Sequence, residues 1–355
     1  MNNRRAMALG VLLSSLLAAC GGGGDGDQTP RVHFTKLVSF GDSLSDVGSY
    51  ATPVLVAATG GGKYTINSAT AKIWIEQLSA TLGLGAVCAA QTGLNSTGPL
   101  VSFAAPTTNH AGCYGYGQGG SRVTNPIGPA NQAVIALGDT SGYLGQLTDP
   151  LLNQMNRHLA ASGGAYAGTE LVLVLAGGND VFMNLAAVGG GAITPTAGVT
   201  AMGVAGAELA GYVKALVLAK GAKYVVVVNL PDVSKTPFAM SLPAATQGLI
   251  QTMSSTFNAQ LAAGLAGAAN VVSVDAFTQS QDQTAHPAQY ALTNVTATAC
   301  DLVKATLGSL GCTAATLIAG DTSRYQYADS VHPTPFGYQL LAQFVATQMA
   351  KAGWL

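Results

Sequence analysis

The chain has 355 residues, of which only 9% are charged and 45 are glycine, and its formal net charge is −1 at pH 7. An average soluble protein has roughly 25% charged residues, so this composition is typical of an exported, loop-rich protein. The balanced charge and the lack of a basic patch exclude nucleic-acid binding as an expected function. The length allows one large domain or two small ones, and the lack of repeats after residue 30 favours one.

Residues 1–19 are predicted to be a lipoprotein signal peptide. Arg4 and Arg5 give a positively charged start, and the apolar stretch after them is too short to span a bilayer. It ends in "LAAC", which resembles the lipobox of bacterial lipoproteins, so Cys20 is the predicted site of lipidation. Gly21 behind it fits sorting to the outer membrane. An ordinary cleavage site in a secreted protein is the alternative.

Residues 20–30 are predicted to be the lipidated cysteine and a flexible, glycine-rich tether. The glycines do not indicate a phosphate-binding loop, because no strand precedes them and no Gly-Lys-Ser/Thr follows. A lipid on Cys20 would anchor the protein to a membrane without a spanning helix. The folded domain is then predicted to occupy residues 31–355.

Four near-continuous apolar runs predict buried strands of a parallel sheet. They are 36–40, 171–176 ("LVLVLA"), 224–230 ("YVVVVNL") and 270–274 ("NVVSV"). Apolar stripes between and after the strands predict helices: Ile73, Trp74, Leu78 and Leu82; Leu147, Leu151, Met155 and Leu159; 201–219; and Phe336, Leu340, Phe344 and Val345. Strands that alternate with helices predict an open α/β sheet, with ligands at the carboxyl ends of the strands.

Two long segments, 83–144 and 278–328, lack periodicity and are predicted to be functional loops or disulfide-tied excursions. Each contains two of the four cysteines that remain besides Cys20, which are Cys88, Cys113, Cys300 and Cys312. In an oxidising compartment they predict two disulfides, and of the three possible connectivities we favour the sequence-local pairs. A zinc site is the rival interpretation, but no Cys-x-x-Cys or Cys/His pair has ligand spacing, so we expect no metal.

Four short motifs contain residues that are chemically competent. Ser43 follows the first strand in "FGDSLSD", Asn179 follows a later strand in "LAGGND", and Asp329 and His332 stand together in "ADSVHPTPFGY" before the last helix. Gly120 lies in "YGQGGSRV" within the first long loop. A turn, a helix entry or a cap would explain each motif by itself, so the information lies in their joint presence and order.

In this order the motifs resemble the sequence blocks of the GDSL/SGNH hydrolase family, and the likeness extends from about residue 36 to about residue 350. The segments "WIEQLSATLGL", "VVVVNLPDVSKTPFA", "FNAQL" and "HPAQYALTNVTATAC" are most similar to its bacterial extracellular esterase and lipase branch. The resemblance implies a three-layer α/β/α, flavodoxin-like fold with a mainly parallel central sheet and long loop insertions. It also implies hydrolysis of carboxylic esters without a metal or cofactor.

The resemblance assigns a role to each motif. Ser43 would be the nucleophile that forms an acyl-enzyme, His332 the general base and acid, and Asp329 the group that orients the imidazole. The backbone amides of Ser43 and Gly120 and the side-chain amide of Asn179 would form the oxyanion hole. A helix that begins at Ser43 would add a favourable dipole.

Other residues near the motifs have simpler interpretations. Asp42 and Asp46 are expected to hold the turn that presents the nucleophile, and Asp180 to orient its loop. Gly119 is the alternative to Gly120 as an oxyanion donor. The remaining histidines lack a paired carboxylate at short spacing and are expected to be surface or structural residues; they are His33, His110, His158 and His286. "GYGQGG" matches the dinucleotide fingerprint, but no strand leads into it.

The expected partners are a small-molecule or lipid ester substrate and, through Cys20, the membrane, and we expect a monomer. Acyl chain length and the alcohol part of the ester are left open. One alternative function is a carbohydrate O-acetylesterase of the same fold. The other is a catalytically silent surface-binding lipoprotein, although the intact set of Ser43, Asn179, Asp329 and His332 argues against it.

Overall fold

The structure is a computed structural model that describes residues 32–355. The predicted signal peptide, Cys20 and the tether lie outside the described residues. The strands within them are β1 (Leu37–Gly41), β2 (Gln91–Leu94), β3 (Ala105–Asn109), β4 (Leu171–Leu175), β5 (Tyr224–Val228), β6 (Val271–Val274), β7 (Asn294–Thr298) and β8 (Tyr325–Tyr327).

The central sheet has four parallel strands in the order β1-β4-β5-β6. Leu37 pairs with Leu171, Leu171 with Tyr224, and Val225 with Val271, which fixes the register of all four strands. All four predicted runs form these strands. β1 and β4 are buried along their whole length, which explains the unbroken apolar sequence of β4 and the mainly apolar sequence of β1. The carboxyl ends of the strands therefore lie along one edge of the sheet.

Helices cover both faces of this sheet. The helices among the described residues are α1 (Pro53–Thr59), α2 (Trp74–Thr81), α3 (Leu151–Ala161), α4 (Gly178–Gly189), α5 (Pro195–Tyr212), α6 (Pro237–Met240), α7 (Ala244–Leu265), α8 (Ala276–Ala285) and α9 (Pro335–Lys351). Side chains of α3, α5 and α7 pack on one face, against Val38, Phe40 and their neighbours. Side chains of α2 and α9 pack on the other face, against Leu37 and Leu173. The predicted α/β/α layering is confirmed.

A segment outside the four strands extends the sheet beyond β1. Ser39 donates to the carbonyl of Tyr114 and accepts from the amide of Tyr116, and the amide of Gln118 donates to the carbonyl of Gly41. Residues 114–118 thus run beside β1 toward its carboxyl end. This path delivers the following residues, including Gly120, to the edge where Ser43 lies.

The buried face of α9 differs from the prediction. Of the predicted stripe of Phe336, Leu340, Phe344 and Val345, Val345 is buried and Phe344 packs half-buried against the same core, whereas Phe336 and Leu340 do not belong to it. The helix buries Tyr338, Ala342, Val345 and Met349. Phe336 instead lies under the guanidinium group of Arg324, whose Cζ is 4.2 Å from the centroid of the Phe336 ring. The small Ala342 belongs to the buried face because α9 packs closely against α2, a constraint that side-chain hydrophobicity does not report.

Three other helix predictions need correction. α3 begins at Leu151 after Pro150, so Leu147 lies in the preceding loop. No α-helix begins at Ser43, because a 3₁₀ turn of three residues, Ser43–Ser45, follows Asp42; the predicted dipole of a full helix is therefore wrong. α5 begins before residue 201, and single π and 3₁₀ turns continue it to Lys220.

The two long loops contain more regular structure than predicted. β2 and β3 form an antiparallel hairpin in the first loop, and β7 and β8 form a short parallel pair in the second. A disulfide between Cys88 and Cys113 closes the first loop, and one between Cys300 and Cys312 ties the second. The cysteines therefore pair with their sequence-local partners.

Among residues 32–355, one helical stretch, Pro195–Lys220, is long and apolar enough to cross a membrane. Its α5 portion packs against α7, and Gly206 lies so close to the backbone of Phe257 that a Cβ would be 2.3 Å from that carbonyl oxygen. Helices of this composition also form the cores of globular domains, and α5 has that position here.

Candidate active site

The predicted catalytic residues meet at the carboxyl edge of the sheet. Ser43 follows β1, Asn179 lies in the first turn of α4 after β4, and Asp329 and His332 lie between β8 and α9. Ser43, Asn179 and His332 line one cavity. Gly120 reaches the same edge through the segment beside β1. Residues far apart in the chain are thus brought to a single place.

Ser43, His332 and Asp329 form a hydrogen-bonded line. Nε2 of His332 lies 2.8 Å from the hydroxyl oxygen of Ser43. Nδ1 of the same ring lies 2.8 Å from Oδ2 and 3.0 Å from Oδ1 of Asp329. A carboxylate can only accept from Nδ1 of a neutral ring, so it favours the tautomer whose free Nε2 accepts from the hydroxyl. The geometry suits removal of the Ser43 proton.

The carboxylate of Asp329 is held in its ionised form. Its oxygens accept from the backbone amides of Ser309 at 2.9 Å, Val331 at 2.9 Å and His332 at 2.8 Å. Burial alone would raise the pKa of Asp329, but the adjacent His332 and these hydrogen bonds outweigh burial and hold that pKa well below its usual range. Asp329 therefore carries a negative charge at neutral pH, when an imidazolium would need it.

Asp42 shapes the turn that begins at Ser43. It is 2% exposed, and its Oδ1 accepts from the amide of Leu44 at 3.0 Å, which caps the 3₁₀ turn. Burial raises the pKa of Asp42 to about 7, although its hydrogen bond from Leu44 and the nearby His332 act in the opposite direction. Its carboxyl is engaged with the backbone, as the sequence predicted.

Asp46 connects the nucleophile turn to the glycine loop. Its Oδ1 accepts from the amides of Gly48 at 2.9 Å and Ser49 at 2.6 Å, and its Oδ2 accepts from the amide of Gly119 at 2.9 Å. The Gly119 amide is therefore occupied. Across residues 32–355, the amide of Gly120 has no protein acceptor, so Gly120 is the glycine whose N–H is free to bind a ligand.

The position of Gly120 requires glycine. Its φ is +79°, and a Cβ would lie 2.5 Å from the carbonyl oxygen of Pro129 and 2.6 Å from Cγ2 of Thr148. Left-handed backbone and close neighbours both exclude other residues. The structure thus gives a physical reason for a glycine at this position in the loop.

Asn179 and Asp180 join α4 to the glycine loop. Nδ2 of Asn179 donates to the carbonyl of Ser121 at 2.8 Å, which leaves the second hydrogen of that amide for another acceptor. The carboxylate of Asp180 accepts from Nε of Arg122 at 2.9 Å and from the amide of Val123 at 3.0 Å. Asp180 therefore orients the loop, as predicted.

A mainly apolar cavity of about 110 Å³ opens beside Ser43 and His332. Its apolar lining comes from α4, the loop after β5, α8 and α9, and includes Phe182, Leu230, Val233, Ala276 and Leu341. Gln279, Gln283 and Gln326 add amide groups to its wall. Such a cavity fits an aliphatic group attached to the carbon that Ser43 would attack.

His286 lies at the surface as expected, but the premise that it lacks a carboxylate at short spacing is wrong. His286 has a carboxylate partner at short spacing, because its Nδ1 lies 2.9 Å from Oδ1 of Asp282, four residues earlier on α8. The sequence contains the signal for this pair, because side chains four residues apart on a helix are neighbours. His158 is structural as expected: it lies among aromatic rings, including Phe40 and Tyr116, and burial lowers its pKa to about 4. Within residues 32–355, no cluster of three acidic, histidine or cysteine side chains could hold a metal ion.

Comparisons with other proteins support the resemblance. The family model for GDSL-like lipase/acylhydrolase matches residues 37–345. An uncharacterised protein encoded between trpE and trpG in Pseudomonas putida is 27% identical over 362 aligned residues, which cover 99% of this chain and 54% of that protein. Esterase EstA of Pseudomonas aeruginosa is 34% identical over 139 residues, 38% of this chain and 20% of EstA.

The chain therefore spans about half the length of the first relative, and the segment that aligns with EstA covers a fifth of EstA. A crystal structure of a GDSL-like lipase from Bacteroides thetaiotaomicron aligns with 90% of this chain and 89% of its own, at 14% identity and a TM-score of 0.34. The family match, in contrast, extends over most of the chain and includes all the motifs described above. The chain belongs to the GDSL-like lipase/acylhydrolase family.

Proposed function

We propose that this protein is a serine hydrolase of carboxylic esters that works through an acyl-enzyme on Ser43. The observation that carries the proposal is the hydrogen-bonded line from Asp329 through His332 to Ser43 beside an apolar cavity. The family and the esterase relatives support the same reaction.

In the first half of the reaction, Ser43 attacks the ester carbonyl carbon. His332 takes the hydroxyl proton at Nε2, and Asp329 stabilises the imidazolium that results. The amides of Ser43, Gly120 and Asn179 would donate to the oxyanion of the tetrahedral intermediate. His332 then returns the proton to the leaving alcohol, and the acyl group stays on Ser43.

In the second half, a water molecule replaces the alcohol. His332 removes a proton from the water as it attacks the acyl-enzyme, and the same three amides stabilise the second oxyanion. Collapse of this intermediate gives the proton back to Ser43 and releases the carboxylic acid. Each proton passes through His332, so the two halves use the same residues in reverse roles.

The cavity supports an aliphatic ester as the substrate. An apolar cavity of about 150 Å³ is large enough to hold benzene, so about 110 Å³ beside Ser43 accepts a group of several carbons. An acetyl group would leave most of that apolar space unfilled. We therefore favour esters of longer aliphatic acids over acetylated carbohydrates.

The test is hydrolysis of p-nitrophenyl esters from acetyl to palmitoyl by the wild type and by Ser43→Ala. We expect higher kcat/KM for a chain of intermediate length than for acetyl, and a loss of at least about 10⁴-fold in kcat for Ser43→Ala. Ser255→Ala, at an exposed serine of α7, is the matched control and should keep full activity.

Two outcomes would contradict this proposal. Equal inactivity of the wild type and Ser43→Ala would favour a silent surface-binding protein. Cleavage of the acetyl ester alone, together with release of acetate from acetylated glycans, would assign the chain as a carbohydrate O-acetylesterase.

We also propose that residues 1–19 direct export, that Cys20 carries the lipid of an outer-membrane lipoprotein, and that residues 31–355 act as one monomeric domain. The lipobox-like "LAAC" and the two disulfides support export. Cys20→Ser should move the protein from the membrane fraction to the soluble fraction of the exporting host. Unchanged membrane retention would contradict the anchor.

A further inference from the structure

Gln154 is a fully buried polar side chain that the mechanism above does not use. It lies on α3 and is 0% exposed. Its Oε1 accepts from the amide of Gly41 at 2.9 Å, and its Nε2 donates to the carbonyl of Gly41 at 2.8 Å. Gly41 ends β1 and precedes Ser43 by two residues. One side chain therefore holds both backbone polar groups at the point where the chain leaves the sheet for the nucleophile.

The same amide also reaches the glycine loop. Nε2 of Gln154 donates to the carbonyl of Asp149 at 2.8 Å and lies 3.3 Å from the hydroxyl of Ser121. The Ser121 hydroxyl donates to that Asp149 carbonyl at 2.7 Å. Since Ser121 follows Gly120, a shift of Gln154 would move the loop that carries the free Gly120 amide.

Asn179, the third proposed oxyanion donor, connects to this network through one further hydrogen bond. The carbonyl of Ser121 accepts from Nδ2 of Asn179 at 2.8 Å. Gln154 is thus linked to Ser43 through Gly41, to Gly120 through Ser121, and to Asn179 through the same serine. These three segments come from β1, the first long loop and α4, and have no sequence proximity that would fix their relative positions.

We propose that Gln154 is a positioning residue that sets the spacing of the three oxyanion donors. The inference rests on the proposed function, because it concerns the same site. Oxyanion donors must lie about 2.7–3.1 Å from the developing charge, and small displacements lower the rate strongly. The amide of a glutamine offers, without a charge and on two separate atoms, the acceptor and the donor that the backbone groups of Gly41 require.

The test variant is Gln154→Met, which keeps the length of the side chain and removes its hydrogen bonds. We expect kcat to fall about 10- to 100-fold with KM unchanged. An alkylboronic acid provides a second readout, because its boron bonds to the Ser43 oxygen, the hydroxyl proton passes to His332, and the adduct is tetrahedral and anionic. Its affinity should fall by the same factor as kcat.

A purely structural role predicts a different result. Leu265→Ala removes a buried side chain at the end of α7 that precedes β6, near the opposite edge of the sheet. This control should lower the unfolding temperature and leave kcat and boronate affinity unchanged when both are measured well below that temperature. The proposal is overturned when Gln154→Met behaves in the same way.

A second variant keeps the proposal testable where Gln154→Met does not fold. Ser121→Ala removes the hydroxyl between Gln154 and Asp149 and leaves both Gly41 bonds intact. We expect a smaller parallel loss, about three- to tenfold, in kcat and boronate affinity, and no loss in either would overturn the proposal. Failure of the proposed function is distinguishable, since wild type and Ser43→Ala would then be equally inert.

Discussion

Within residues 32–355, two Asp–His pairs have nearly the same contact and very different surroundings. Nδ1 of His332 lies 2.8 Å from Asp329, and Nδ1 of His286 lies 2.9 Å from Asp282. The side chains of the first pair are 14% and 9% exposed, and those of the second are 55% and 43% exposed. Nε2 of His332 faces the hydroxyl of Ser43. The same Asp–His contact therefore occurs both in the buried candidate site and at an exposed position without a serine partner.

The two aspartates also differ in what holds their charge. The pKa of Asp282 is lowered by hydrogen bonds from Tyr290 and His286 at the surface. Asp329 is buried, and His332 with three backbone amides must outweigh that burial to lower its pKa. Solvent screens the exposed pair, so that pair contributes little to stability. The charge of the buried Asp329 is screened less and therefore acts more strongly on the imidazole of His332.

The largest predicted effect comes from Asp329→Asn. The amide would favour the other imidazole tautomer, in which Nε2 carries the proton and cannot accept from Ser43, so we expect kcat to fall about 10⁴-fold. Steady-state hydrolysis of the best p-nitrophenyl ester measures this. Asp282→Asn is the matched control and should stay within twofold of wild type; a comparable loss in both variants would contradict the distinction between the pairs.

A smaller effect is expected from removal of the disulfide that ties the loop beside Asp329. Ser309, whose amide donates to Asp329, lies between Cys300 and Cys312, which are 12 residues apart. Cys300→Ser/Cys312→Ser should lower the free energy of unfolding by about 3 kcal/mol through loop entropy. It should also lower kcat about three- to tenfold, because the Ser309 amide that donates to Asp329 is then held less firmly.

A double-mutant cycle tests whether the loss of kcat on removal of the disulfide arises through Asp329. When the disulfide acts on catalysis only through Asp329, its removal changes kcat no further in the Asp329→Asn background. Full additivity of the two losses would contradict this route. Urea denaturation of the same four proteins gives the stability change separately.

The smallest effect is on the pH dependence of stability. A lowered pKa stabilises the folded protein above the pKa of the unfolded aspartate, about 3.9, and this contribution is lost as the pH falls through the folded value. Asp329→Asn should therefore be less stable than wild type at pH 7 and lose less stability on acidification. Asp282→Asn should follow the wild-type curve.

Asp42 affects the pH dependence of the free energy of unfolding in the opposite direction. Because burial raises its pKa to about 7, its contribution is present at low pH and lost as the pH rises from about 3.9 toward 7. Urea unfolding at about pH 2.5, 4, 5.5 and 7 measures both contributions. A wild-type and an Asp329→Asn curve with equal slopes below about pH 4 would contradict the assignment to Asp329.

The strands and the catalytic motifs were predictable because their signals are local. Leu171–Leu175 is buried throughout, so its sequence is unbroken in apolar residues. Ser43 and Asn179 directly follow strands, and Asp329 precedes His332 by three residues, so short motifs contain them. The β2–β3 hairpin was not predictable, because four of the five residues of β3 are exposed and lack the alternation that indicates a strand.

The contacts that organise the site could not be found in the same way. Gln154 and Gly41 are 113 positions apart, and a single glutamine on an amphipathic helix has no local signature. Asp46 meets Gly119 across 73 positions, so its place in the motif was visible but its partner was not. The choice between Gly119 and Gly120 therefore depended on the tertiary structure.

The contact between Ser43 and His332 joins residues 289 positions apart. At a synthesis rate of about 5–20 residues per second, the base follows the nucleophile by roughly 15 to 60 seconds. A partly made chain would carry Ser43 without His332, so the proposed catalytic set would be incomplete. Ester hydrolysis would therefore begin only when α9 has docked on the sheet, and the onset of activity would report the completion of folding.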